Sequence, residues 1–169
     1  MALYLMTNGP MPTTAKVAPV TTGTAIKTLL QIKPSATILA RIVEWGFALD
    51  GPTAGSVELV ETDVAATVSA FALADIHKYD SAALCGGDQT TNLIQIGTTS
   101  SGYTSTGEGT ITAVRLLDLP FIVSAGSPLV YVKQFPLGRE PVIQIGKFGR
   151  IRVHVGTAVN ALCHMVVEV

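Results

Sequence analysis

Charge is scarce in this sequence. Only 14% of its 169 residues are Asp, Glu, Lys or Arg, against about 25% in an average soluble domain. The formal net charge is −1, so the chain has no excess of the Lys and Arg that phosphate neutralisation demands, and nucleic acid is not an expected partner. Aromatic residues are few as well, at 6%, which counts against the aromatic platform of a carbohydrate-binding module. Long apolar runs are missing too. Charged residues, glycine or proline interrupt every stretch before the roughly 18 to 20 apolar residues that a spanning helix needs, so no membrane partner is expected. Met1-Ala2-Leu3-Tyr4-Leu5-Met6 has neither a basic leader nor a long apolar segment; no secretory signal is expected, and synthesis in a cytoplasm is. Cys85 and Cys163 stand far apart, neither in a CxxC pair. They read as small buried apolar residues without a disulfide between them.

What is present is apolar. Hydrophobic residues make up 48% of the sequence and mean hydropathy is +0.46, which excludes disorder. A chain of this length folds as one domain and buries roughly 70% of the surface its unfolded form exposes. Two readings of the apolar excess stand side by side. One is an ordinary sandwich rich in Val, Ile, Ala and Thr; the other is a domain whose outer surface is partly covered by neighbouring subunits.

Along the chain, residues 1–23 read as an extended arm. After the short apolar start, Thr7 to Gly23 is rich in Thr and Pro, and its prolines prohibit a helix and interrupt any ladder. The arm either drapes over its own domain or straps a neighbour. From Thr24 to Val169 the pattern is that of a single β domain. Strands are expected over 25–32 and 37–49, with a bulge or bend at Gly46, and over 56–61 after the Asp50 to Gly55 turn, which reads as a hairpin. Thr62 to Ala74 has roughly helical spacing of Val64, Val68 and Phe71, with Thr62 or Asp63 as cap, and predicts one short helix. Long loops around a short strand at 92–96 follow. Strands are expected again over 109–118, 129–135, 140–145, 150–155 and 161–169. The clearest alternation is Arg150-Ile151-Arg152-Val153-His154-Val155, which sets three basic groups against three β-branched residues. The fold class that results is all-β: an antiparallel β-sandwich of jelly-roll or Greek-key type with one short helix and the N-terminal arm.

Chemistry is hard to find. His154 and His164 fall on the last two strands and could meet across a hairpin, but the HxH pair with a following Glu of metal-binding jelly rolls is absent, so His77, His154 and His164 read as surface or pocket-edge residues and no metal or cofactor is expected. Glu58, Glu61 and Asp63 cluster at a junction and read as caps and solvated carboxylates. Gly86-Gly87-Asp88 and Ser101-Gly102-Tyr103 lack a phosphate-binding pattern, and Ser124-Ala125-Gly126 is not a nucleophile elbow. No catalytic residue is assigned and no enzyme is expected. The one electrostatic feature is the face of Arg150, Arg152 and His154, joined by Arg139 and Lys147, which is either a solvated strand face or an ion-pair surface between subunits. With Leu3, Tyr4 and Leu5 of the arm, Arg139, Arg150, Arg152 and His154 are the candidate interface residues. Trp45, the single tryptophan, reads as core.

Several stretches carry a resemblance. Tyr131-Val132-Lys133-Gln134-Phe135-Pro136-Leu137-Gly138-Arg139-Glu140, with Gly149 to Val153 and Val159-Asn160-Ala161, resembles the C-terminal half of small virion proteins of tailed phages. Glu58 to Thr67 and Thr21 to Lys27 are similar to the same group. The resemblance implies a head decoration, or cement, protein: a virion component assembled in the host cytoplasm, sitting on the capsid surface as a homo-oligomer, often a trimer, with the major capsid protein as partner. Another capsid or tail subunit, or a carbohydrate-binding β-sandwich module, is the alternative.

Overall fold

Side chains that alternate between apolar and polar suit a sheet with one face in the core, and this pattern recurs along the chain. The computed structural model, which describes residues 2–12, 14–79, 93–122 and 129–169, turns it into strands β1 (Leu3–Thr7), β2 (Val20–Thr21), β3 (Lys27–Ile32), β4 (Ala40–Leu49), β5 (Gly55–Thr62), β6 (Thr67–Ala70), β7 (His77–Lys78), β8 (Gly102–Gly107), β9 (Val114–Asp118), β10 (Phe121–Ile122), β11 (Leu129–Gln134), β12 (Val142–Ile143), β13 (Phe148–Val155) and β14 (Asn160–Glu168). Cys85, the Gly86-Gly87-Asp88 loop and Ser124-Ala125-Gly126 lie outside the described residues.

Two antiparallel sheets pack face to face. The first runs β11-β4-β14-β1-β7, with β12 beside β4 and β2 beside β14; the second runs β10-β5-β13-β3-β8-β6, with β9 beside β5. On β5, β10 pairs with Gly55 and Ser56 while β9 pairs with Leu59 to Thr62, so together they form one edge strand broken at Pro120. The pair β11 and β12 on β4 is likewise one strand, broken around Pro136. Count these broken strands once each, and the principal strands in chain order are β1, β3, β4, β5, β9–β10, β11–β12, β13 and β14. Their order is first-eighth-third-sixth in one sheet and second-seventh-fourth-fifth in the other, which is the winding of a jelly roll.

Both sheets turn their inner faces onto one core, in which Trp45, Tyr4, Met6, Ile42, Leu59, Ile151 and Met165 are fully buried. Trp45, Phe47 and Tyr131 pack as an aromatic group with ring centroids 5.4 to 5.9 Å apart. Replacing Trp45 with Ala removes about 3 to 5 kcal/mol of such packing.

Six expectations change. Leu3–Thr7 is no arm: β1 pairs along its length with β14 and also with β7, and its Tyr4 and Met6 lie in the core. The alternation Leu-Tyr-Leu-Met already carried that strand. Only the segment after β1 is extended, and Asn8 anchors it: its amide donates to Ala161 and its oxygen accepts from the Cys163 N–H. The Asp50 to Ala54 connection is not a hairpin, because β4 belongs to one sheet and β5 to the other. No α-helix forms over 62–74. Thr62 ends β5, the β-favouring Thr67-Val68-Ser69 builds β6 against β8, and a single 3-10 turn, Leu73–Asp75, remains. The bulge in β4 is not at Gly46 but between its Ile42 and Glu44, where the register against β14 shifts. Gly46 serves another purpose: a Cβ there would lie 2.6 Å from the His164 ring and 2.7 Å from the Tyr131 carbonyl. Finally, β9 starts only at Val114, because Gly109 at φ +72° turns the preceding chain into a loop. Near 92–96 the described residues make isolated bridges, Pro34 to Ile94 and Ile96 to Ser101, rather than a strand.

Candidate interaction surface

The two outer faces of the sandwich are built differently. On the second sheet, Arg150 points outward from β13 yet is 0% exposed, because the loop from Gly107 to Ala113 folds over it. Its Nε donates to Thr28 Oγ1 at 3.0 Å, Nη1 donates to Thr62 Oγ1 and to the Val64 carbonyl, and Nη2 donates to the carbonyl and carboxylate of Glu108. Glu108 also accepts from the main-chain N–H and hydroxyl of Thr28, each at 2.6 Å. Burial pushes the Arg150 guanidinium down to about 10, with Glu108 opposing the shift, so it stays charged at neutral pH. Alongside it, Gln31 accepts from the Ala66 N–H and donates to the Ser100 carbonyl.

This overturns the solvated basic face. Arg150 is internal, Arg152 is buried against Glu58 at 2.6 Å, His154 is exposed on its own, and Arg139 sits in the turn after β11. The missed signal is Glu108, a lone acid between Gly107 and Gly109, the right charge on a loop flexible enough to cross a basic strand. The carboxylates of the acidic cluster are partnered, though only Glu61 is buried. Glu58 holds Arg152; Glu61 takes Arg115 at 2.9 Å and the Gln144 N–H at 2.8 Å; Asp63 accepts from Thr112 and Ala113. Those bonds, the Thr112 hydroxyl first, hold the Asp63 carboxyl down to about 2. His154 and His164 cannot meet, since β13 and β14 belong to opposite sheets. Among the described residues no group of three or more His, Cys, Asp or Glu is placed to hold a metal ion.

The outer face of the first sheet is apolar and open. Register sets Leu162 of β14 beside Ala48 of β4 and Val130 of β11, and in the next row His164 beside Gly46 and Val132. Val130 is 69% exposed, Val132 55% and Leu162 36%. With Val17 of the N-terminal segment they line a shallow cleft of about 190 Å³. A polar border closes one end, where Glu44 takes the His164 ring at 3.0 Å and the Gln134 amide at 2.8 Å. Leu3 and Leu5 alternate with the core residues of β1, which places them half-buried on this outer face, whereas Tyr4 is core and offers no contact surface. A second exposed apolar group, Val114, Leu116 and Phe121, follows the β9–β10 edge.

Asp118 joins these regions. It ends β9 at the open side of the sandwich and accepts from Trp45 Nε1 at 3.1 Å, Tyr131 Oη at 2.8 Å and Lys133 Nζ at 2.7 Å. Burial alone would raise its carboxyl, but the bonds from Lys133, Tyr131 and Trp45 outweigh that and hold it below the ordinary carboxylate range. The Tyr131 phenol is pushed up to about 12 by burial and by Asp118. The edge strand β11 is thereby pinned to the other sheet.

The chain matches no family model, no curated protein and no solved structure at a significant level.

Proposed function

We propose that this chain is a structural protein of a tailed-phage virion, a decoration protein that docks onto the assembled head and reinforces it. The observation that carries the reading is the row Val130, Ala48 and Leu162, continued by Val132, on the outer face of the first sheet. In an antiparallel sandwich that stands alone the outer face is expected to be polar, and the first sheet departs from that rule along this row, as the second does only at its β9–β10 edge. An open apolar face of this kind is suited to burial against another protein. The virion assignment draws its support from the stretches that resemble small phage proteins and, by analogy of fold alone, from the jelly roll, an architecture that recurs in capsid domains. The partner on this reading is the major capsid protein, and the homo-oligomer, trimeric by the same resemblance, belongs to the proposal.

Docking follows mass action: a subunit that binds only the assembled shell stabilises that state. The reading is tested by mixing the purified chain with assembled, undecorated heads and following co-sedimentation and head thermal stability. Wild-type chain is expected to bind and raise the temperature of head disruption, and the Val130→Glu, Leu162→Glu double variant to do neither while remaining folded. Wild-type chain left in the supernatant, or a double variant that binds as well as wild type, sinks the proposal.

A further inference from the structure

We infer that β11 is a pairing edge, and that the strand it takes is the β11 of a second copy, laid antiparallel across a twofold axis at Val132. The hydrogen-bond phase of the sheet comes first. The Phe135 N–H donates to the Val43 carbonyl at 2.9 Å, and the register pairs Lys133 with Trp45, Tyr131 with Phe47 and Leu129 with Leu49. Main-chain groups alternate in direction along an antiparallel strand. Leu129, Tyr131 and Lys133 therefore face β4, and the N–H and C=O of Val130, Val132 and Gln134 face away from it. On the other side of β4 the phase is the complementary one, since the Asp50 N–H donates to the Asn160 carbonyl. Among the described residues no strand pairs with β11 on its far side.

Natural edges are blunted by short strands, outward charges, bulges or proline. The opposite edge of the same sheet, β7, has 2 residues; on the other sheet the β9–β10 edge is broken at Pro120 into 5 and 2 residues, and the β6 edge has 4 with shifts in its register. By contrast β11 has 6, in unbroken register with β4. Its one charge, Lys133, is no guard, because Asp118 holds the ammonium toward the other sheet. The outward side chains flanking the free groups are Val130 and Val132, both exposed and both suited to a strand.

Self-complementarity points to a second copy rather than a different partner. An antiparallel twofold at Val132 sets Val132 against its own equivalent, Tyr131 against Lys133, Val130 against Gln134 and Leu129 against Phe135. No like charges face each other in any of these pairs. The arrangement forms up to about six main-chain hydrogen bonds and joins the two apolar rows of Val130 and Val132 into one continuous face. A contact of this isologous kind closes on itself.

The inference rests on reading the chain as an assembly subunit, and it can fail separately from it. Sedimentation velocity and native mass spectrometry of the isolated chain are expected to show a concentration-dependent twofold contact. Val132→Pro deletes an N–H that faces away from β4, so it is expected to weaken that contact at least tenfold with the melting temperature within a few degrees of wild type. In a Cys85→Ser, Cys163→Ala background, Val132→Cys is expected to form a disulfide-linked dimer on mild oxidation, since directly opposed residues of a hydrogen-bonded pair lie about 5.5 Å apart. The cross-link holds the test open even where the proline variant fails to fold. A monomer at all concentrations, or a trimer or dimer untouched by Val132→Pro and not cross-linked through residue 132, overturns the pairing. Dimers that pass these tests yet never bind heads overturn the decoration reading and leave the pairing intact.

Discussion

Both sheets are half core and half surface, yet their outer faces solve the surface problem in opposite ways. The second sheet turns a buried guanidinium, an amide and two threonines outward, and then covers them with its own chain, so that Arg150, Thr28 and Glu108 satisfy one another and Gln31 bonds to the main chain of Ala66 and Ser100. The first sheet turns Val130, Val132, Ala48 and Leu162 outward and leaves the two valines more than half exposed and Leu162 about a third exposed. Polar groups withdrawn from water need partners fixed in place, and the fold supplies them internally. Apolar groups left in water need only area, which another molecule supplies without fixed geometry. On the reading proposed above, the first sheet is the one that a partner would cover.

That contrast breaks most severely at β1. Removing residues 2–7 deletes the strand between β14 and β7 along with the buried Tyr4 and Met6, so the expected outcome is loss of the cooperative unfolding transition by circular dichroism. A truncated chain that melts like the full one makes β1 dispensable.

Next comes the covered face. Arg150→Gln leaves the part-buried Glu108 carboxylate without its cation, and breaking a buried pair from one side typically costs about 3 to 5 kcal/mol, the low end applying where the acid keeps contact with water. Urea unfolding is expected to show a loss of that order, with much of it recovered in the Arg150→Met, Glu108→Gln double variant. A single variant as stable as wild type makes the network ornamental.

At the joint between faces, Asp118→Asn weakens three bonds and is expected to cost about 1 to 3 kcal/mol in the same assay. The pH dependence has a definite sign. The folded carboxyl lies below its ordinary value, so its contribution is complete above the unfolded pKa of about 4 and is lost as pH falls through the lower, folded one. The stability difference between wild type and Asp118→Asn is expected to shrink on acidification below about pH 4; a difference constant from pH 7 to 2 contradicts the assignment.

The smallest expected effect on folding belongs to the open face. Leu162→Glu is expected to change stability by no more than about 0.5 kcal/mol, as surface substitutions do. The same change on the inner face, Met165→Glu, is expected to prevent folding. Comparable losses at both positions remove the distinction between the faces.

Strand alternation was legible wherever one face is core. Arg150 to Val155 and Ala161 to Val169 read correctly because β13 and β14 sit mid-sheet and alternate without interruption. The pairing of strands was not legible locally. The Asp50 to Gly55 turn has hairpin chemistry, and only its distant partners, Asn160 and Thr157, reveal that it crosses between sheets. Val64, Val68 and Phe71 were spaced for a helix, but pairing with β8 overrode that spacing. The face of Arg150 was read as outward, which it is, and as either wet or an ion-pair surface between subunits, whereas Arg150 is covered by the chain itself. Burial there depends on a loop some forty residues earlier in the chain, the Glu108 carboxylate, and no periodicity on β13 records it. The open face was unread for the converse reason: Val130 and Val132 lie on β11 and Leu162 on β14, and they become one surface only through register with β4.

The pairing of β1 with β14 has a temporal consequence. Leu3 lies opposite Glu168, and the Ala2 N–H donates to the Val169 carbonyl. The strand between β1 and β4 is therefore synthesised after both of them, and until it arrives each of them presents an unpaired ladder toward the gap. Contacts so distant in sequence make closure slow, in the range of about milliseconds to seconds for all-β domains, and a nascent chain waiting with open ladders is exposed to mispairing. Val130 and Val132 take their register from β4, but Leu162 joins them only in that closing step, so the apolar row is complete only once the domain has closed.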